Sequence, residues 1–141
     1  MVSANKHYQF VEDLVKKVHN LSADSLKNML TNVAPTTANA ILSDLTEITA
    51  HNGYSAGGTA PAISSCAQTS GTLKLVLADV VFTASGGTIG PFRYTDLYNS
   101  TPSSPLKPLI LWYDYASSIT LADGETFTID YDGSAGVLTL V

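Results

Sequence analysis

From Ser70 to Val141 apolar residues recur with a period of two, in short runs broken by glycine or proline, a pattern that admits little besides a stack of antiparallel strands. Leu73, Leu75 and Leu77 alternate with Thr72, Lys74 and Val76; after a break at Asp79, Val80, Phe82 and Ala84 alternate with Val81 and Thr83. Ser85 to Pro91 reads as a glycine-rich turn and Phe92 to Tyr98 as the next strand. Pro102, Pro105 and Pro108 make Asn99 to Pro108 an exposed connection that cannot join a central ladder. Ile119 and Leu121 lead into an Asp123-Gly124 hairpin turn, Phe127, Ile129 and Tyr131 lead out, and residues 132–136 turn the chain into a last strand over Val137 to Val141. The run Leu109 to Tyr115 barely alternates, so both of its faces need cover. A helix on one side with a second sheet on the other would supply it, and so would a subunit interface.

The N-terminal part follows a different period. Phe10, Val11, Leu14, Val15 and Val18 share one face from Tyr8 to Leu21, opposite Glu12, Asp13, Lys16 and Lys17, which predicts an amphipathic helix capped by Ser3 or Asn5 and stopped near Asn20. Ser22 to Val33 threads equally as helix or strand, and Pro35 ends it. Ala38, Ile41, Leu42, Leu45 and Ile48 recur at helical spacing behind Thr36 and Thr37, predicting a short second helix. Gly53, Gly57 and Gly58 mark a flexible loop from His51, a segment suited to ordering by a partner. The expected organisation is one domain over residues 1–141: a helix-containing part at 1–50, a loop at 51–69 and an antiparallel β region at 70–141. The expected fold is mainly β, an antiparallel sandwich or curled barrel of about seven or eight strands with the N-terminal amphipathic helix packed on it.

Composition narrows the partners. A net charge of -5 with only seven Lys plus Arg argues against direct nucleic-acid binding. Charged residues make up 13%, about half the usual fraction, so the surface is polar but weakly charged, as suits a protein packed against other proteins. Charged residues interrupt every apolar run near the N-terminus, and no run reaches the roughly 20 apolar residues of a membrane helix, so no membrane partner is expected and synthesis in the cytoplasm is. Cys66 is alone and reads as a small packed residue.

No constellation for chemistry stands out, and no catalytic residue, metal site or cofactor is predicted. His7, His19 and His51 lack metal-ligand spacing, and His7 and His19 read as helix-surface residues. An enzyme would need a dyad assembled in space, such as His51 with Asp96. Asp130 to Gly133 lacks the ligand pattern of a calcium loop, and the glycines at 86, 87 and 90 read as a turn. The one binding candidate is aromatic: Trp112, Tyr113 and Tyr115, beside Phe92, Tyr94 and Tyr98, form either a sugar-binding platform or cross-strand core packing.

Seven short stretches carry a resemblance: F-V-E-D-L at Phe10 to Leu14, V-H-N-L at Val18 to Leu21, N-V-A-P-T at Asn32 to Thr36, L-S-D-L-T-E-I at Leu42 to Ile48, N-G-Y at Asn52 to Tyr54, G-P-F-R-Y at Gly90 to Tyr94, and D-G-E-T-F-T-I-D-Y-D-G at Asp123 to Gly133. Through them nearly the whole chain resembles a family of small virion structural proteins of tailed bacteriophages. The resemblance implies a particle component without catalysis, of the capsid decoration or cement type. The expected partner is the major capsid protein or another virion protein, as a monomer or a homotrimer, and the expected location is the virion. It also implies strand character for the stretch between Leu26 and Leu30. The alternative function is a tail-associated or surface carbohydrate- or receptor-binding module.

Overall fold

The computed structural model describes residues 2–141. Its strands form three antiparallel sheets. The largest is ordered β1-β7-β6-β2, from β1 (Ala4–Lys6), β7 (Leu109–Leu121), β6 (Ile89–Asn99) and β2 (Leu26–Thr31). A second is β3-β4-β9, from β3 (Ile63–Thr69), β4 (Thr72–Leu77) and β9 (Leu138–Leu140), and β5 (Val80–Thr83) pairs with β8 (Thr126–Ile129) as a ribbon. The mainly β, sandwich-like architecture read from the alternation is thus borne out, with nine strands among the described residues and no sheet closed into a barrel.

The main core lies between the large sheet and the two smaller ones. Leu30, Leu97, Leu111 and Tyr113 of the large sheet meet Leu75 and Leu77 of β4 and Val80, Phe82 and Ile129 of the ribbon. Each such side chain, fully buried, contributes about 1.5–3 kcal/mol. On the other face of the large sheet, Met29, Tyr98 and Leu109 form a smaller core covered by Leu42 and Leu45. Both faces of β7 are therefore buried from Leu109 to Tyr113, the run whose sequence demanded it. The cover over this smaller core is irregular chain, and the helix Tyr8–Val15 packs against β7 as well.

Several expected boundaries move. The helix α1 spans only Tyr8–Val15, with His7 at its N-cap in place of Ser3 or Asn5. It ends early because Lys17 takes a left-handed φ of 63°, after which Lys17 and Val18 donate back to carbonyls of α1. The second helix is absent: only a 3-10 turn at Leu42–Asp44 forms, its entry held by the Asp44 carboxylate, which accepts from the backbone N–H groups of Ala40 and Ile41. The ambiguous stretch is β2, paired with β6 from Leu26↔Asn99 to Thr31↔Tyr94. Residues 63–69, placed in the loop, are strand β3.

The remaining loop is pinned rather than free. The Tyr54 hydroxyl donates to Glu47 Oε1 at 2.6 Å and accepts the Leu30 N–H at 3.0 Å, and the same Glu47 oxygen accepts the Gly57 N–H at 2.6 Å. Burial and the adjoining carboxylate push the Tyr54 hydroxyl far above its usual pKa, so it stays a donor. Tyr54→Phe leaves the N–H of Leu30 buried without a partner, and urea titration is expected to show a loss of about 1–3 kcal/mol.

Candidate functional site

The structure separates the aromatic trio. Pairing in β7 puts Trp112 opposite Asp96 and Tyr113 opposite Thr95, so Trp112 points to one face of the sheet while Tyr113 and Tyr115 point to the other. Tyr113 packs edge-on against Tyr131 and Tyr115 against Phe127, with Phe92 on the same Phe127 ring. Trp112 and Tyr113 are buried and Tyr115 is half-buried. The three rings share no platform: Tyr113 and Tyr115 pack on Tyr131 and Phe127, and Trp112 packs on the opposite face. Titration with sugars is expected to leave Trp112 fluorescence unchanged; quenching by a glycan would return the trio to candidacy.

Trp112 is stacked on a histidine. The His7 ring lies 4.6 Å from the indole, with His7 and Asp96 both fully buried. His7 Nδ1 is 3.1 Å from the Thr36 carbonyl, which can only accept, so Nδ1 carries a proton. His7 Nε2 sits 2.7 Å from Asp96 Oδ2, a distance that requires one further proton shared between them. Burial pushes the Asp96 carboxyl up to about 6, partly offset by the hydrogen bond and charge of His7. Asp96 Oδ1 has no partner. This corrects two readings: His7 is not on the helix surface, and Asp96 pairs with it rather than with His51, whose Nδ1 accepts from Asn52. With neither side chain exposed, the pair ties the β1–α1 junction to β6 rather than presenting a reactive edge.

His19 is also buried, against expectation, beside the Phe10 ring. Asn99 fixes its tautomer. The Asn99 Oδ1 accepts the Thr101 N–H, so its Nδ2 donates to Asp24 Oδ2 at 2.6 Å and to His19 Nδ1 at 3.1 Å. The imidazole proton therefore resides on Nε2, which has no acceptor; Asp13 Oδ2, also buried, is likewise unpartnered. Burial pushes the His19 pKa down against the raising influence of Asp13 and Asp24, which keeps the ring neutral. Sequence periodicity carries no signal for either histidine, since their partners lie 89 and 80 residues away.

His19 lines a cleft of about 560 Å³ between the turn after α1 and the β3-β4-β9 sheet. Its walls are Leu14, Leu21, Leu73 and Leu140, with Lys17 at the edge. A second apolar surface lies on α1 itself: Tyr8, Val11 and Val15, at i, i+3 and i+7, are 67%, 45% and 82% exposed. Among the described residues no three His, Cys, Asp or Glu side chains gather as metal ligands would, and no helix is long and apolar enough to cross a membrane. Comparison of the chain with protein-family models, with curated proteins and with solved structures finds no match.

Proposed function

We propose that this chain is a noncatalytic structural protein of a tailed-bacteriophage virion, a decoration or cement protein that binds the head lattice. The observation that carries the reading is the outward stripe of α1. An eight-residue helix that buries Phe10 and Asp13 inward and turns Tyr8, Val11 and Val15 to solvent presents apolar area that no other described residue covers. Such a stripe is too small for a tight pairwise complex, which buries about 800 Å² per partner, but repeated over many identical copies it adds up through multivalency. The phage-like stretches from Phe10 to Gly133 supply the particle context. The major capsid protein is the proposed partner, and the acidic balance of the chain keeps it from adhering to packaged nucleic acid.

Quantitative peptide counting on purified virions tests the placement. Copies on the order of hundreds, removed together with the head shell, support it; a few copies confined to the tail refute it. Tyr8→Asp combined with Val15→Asp, both at exposed positions, is expected to leave the monomer folded and to abolish particle binding. Retained binding by that variant would exclude the helix as the contact. The carbohydrate-binding alternative has lost the shared platform on which it rested.

A further inference from the structure

Strand β3 forms one side of the β3-β4-β9 sheet, and its outer edge is bare. It pairs with β4 alone, and from Ser65↔Val76 to Thr69↔Thr72 the ladder runs without a bulge, the one irregularity falling between Ile63 and Ser65. Ser70 and Gly71, at φ 51° and 85°, close the hairpin as a two-residue turn, which makes Thr69 and Thr72 a hydrogen-bonded pair. Alternation then bonds Ala67 to Lys74 and turns the backbone N–H and C=O of Cys66 and Gln68 away from β4. The far side of β4 agrees: the carbonyl of Leu75, which stands opposite Cys66, accepts from Val137 at 2.7 Å on the side of β9. Among the described residues the four outward groups of Cys66 and Gln68 have no backbone partner. Ser65, Ala67, Gln68 and Thr69 are all exposed, so the edge is open to solvent.

A bare edge is a template for pairing with another chain, and proteins guard such edges with charge, proline, bulges or shortness. The other edges of this fold are guarded. β1 and β9 are three residues long, and β5 and β8 are four, bordered by Asp79, Glu125 and Asp130. The free side of β2 is taken at Asn28 by Thr59, and β7 beyond its pairing with β1 is interrupted at Ala116, φ 70°. Ser65 to Thr69 carries neither a charge nor a proline.

The order of its residues selects the strand that fits. Read from Ser65 the run is Ser-Cys-Ala-Gln-Thr, so a two-fold axis at Ala67 sets that residue against its own copy, Ser65 against Thr69 of the second copy, and Cys66 against Gln68 of the second copy. Hydroxyl pairs of this kind are favourable across strands, and alanine at the axis lets the backbones close to the roughly 4.5 Å of a non-hydrogen-bonded pair. The outward groups of Cys66 then meet those of Gln68 in both directions, which satisfies all of them. No like charges face each other, and the irregularity at Ser64 stays outside the paired run.

We propose that β3 joins the β3 of a second copy of this chain, antiparallel about a two-fold axis at Ala67, so that two three-stranded sheets become one continuous sheet. The pairing goes beyond the particle reading, uses a surface apart from the α1 stripe and requires no location on the head. A contact of so few residues a side is small, and the dimer is accordingly a weak one that forms where copies are concentrated.

The test uses the full chain. Sedimentation equilibrium is expected to show the mass rising from monomer toward dimer between about 10 µM and about 1 mM. Over the same range amide exchange is expected to slow at Cys66 and Gln68 and to stay constant at Ala67, whose N–H already bonds to β4. Ala67→Lys, at an exposed position, sets two ammonium groups face to face and is expected to raise the dissociation constant about fivefold. In a Cys66→Ser background, Ala67→Cys is expected to give a disulfide-linked dimer under copper phenanthroline at least about tenfold faster than Val81→Cys, a 51% exposed site on β5. A mass that stays monomeric throughout overturns the proposal, as do a dimer indifferent to Ala67→Lys and equal cross-linking from the two cysteine positions. A dimer that is lost on combining Tyr8→Asp with Val15→Asp but survives Ala67→Lys moves the contact to α1 and overturns it too. Because no particle is needed, a tail-only copy count would remove the head placement and leave this dimer standing.

Discussion

His7→Ala is expected to lower stability by about 3–5 kcal/mol, the cost of removing one partner from a buried charge pair. The variant keeps Asp96 with no exposure and with both carboxyl oxygens unpartnered, and it deletes the ring stacked on Trp112. The loss has a defined dependence on pH. Burial already holds the Asp96 pKa at about 6, above the unfolded value of 3.8, so the folded state keeps the proton that the unfolded chain releases between those values. Without the imidazole, which pulls that pKa down, the carboxyl holds its proton to higher pH still. The deficit measured by urea titration is therefore expected to be largest near about pH 8, where folding must desolvate a carboxylate, and to shrink as pH falls below about 6 and the buried group becomes neutral. A deficit independent of pH, or one that grows on acidification, would show that no proton is shared across the pair.

Gly58→Ala is the second large effect. Gly58 has φ +75°, and a Cβ there would lie 1.7 Å from the carbonyl oxygen of Asn28, a backbone atom that cannot rotate aside. Relief requires separating the loop from β2, where Asn28 and Thr59 exchange two backbone hydrogen bonds of 2.7 and 3.0 Å. Left-handed strain of about 1–2 kcal/mol and the loss of both bonds at about 1 kcal/mol each make the expected cost about 3–4 kcal/mol. Gly71→Ala is the control. Its φ of +85° is similar but nothing lies within 4 Å of the added atom, so only the strain of about 1–2 kcal/mol remains. Thermal melts of the two variants that coincide would assign the whole effect to backbone conformation and none to the close approach.

What the sequence made legible was whatever depends on neighbours along the chain. The alternation of Leu73, Leu75 and Leu77 and of Val80 and Phe82 translates directly into β4 and β5, because each inward side chain is two residues from the next. Helical spacing at Leu42 and Leu45 misled for the same reason: those leucines are indeed apolar contacts, but they dock on Met29, Tyr98 and Leu109 as irregular chain laid over a sheet. Strand β3 was hidden because Ser64, Ser65, Ala67 and Gln68 face solvent and leave little apolar pattern. His7 and His19 were misplaced because their burial is decided by Asp96 and Asn99, which no local pattern connects to them. The aromatic residues were located correctly on one strand, yet adjacency along a strand sends Trp112 and Tyr113 to opposite faces.

The order of strands in the large sheet also constrains how the chain reaches this state. Ala4 is held by Tyr113, and Leu26 by Asn99, so β1 and β2 have no ladder to join until β7 and β6 exist. Closing such long loops before any pairing rewards them makes for slow, concerted acquisition of structure. During translation the N-terminal segment, its valines and leucines uncovered, must wait for most of the polypeptide to emerge, and that interval is when a chaperone or a premature stop would matter most.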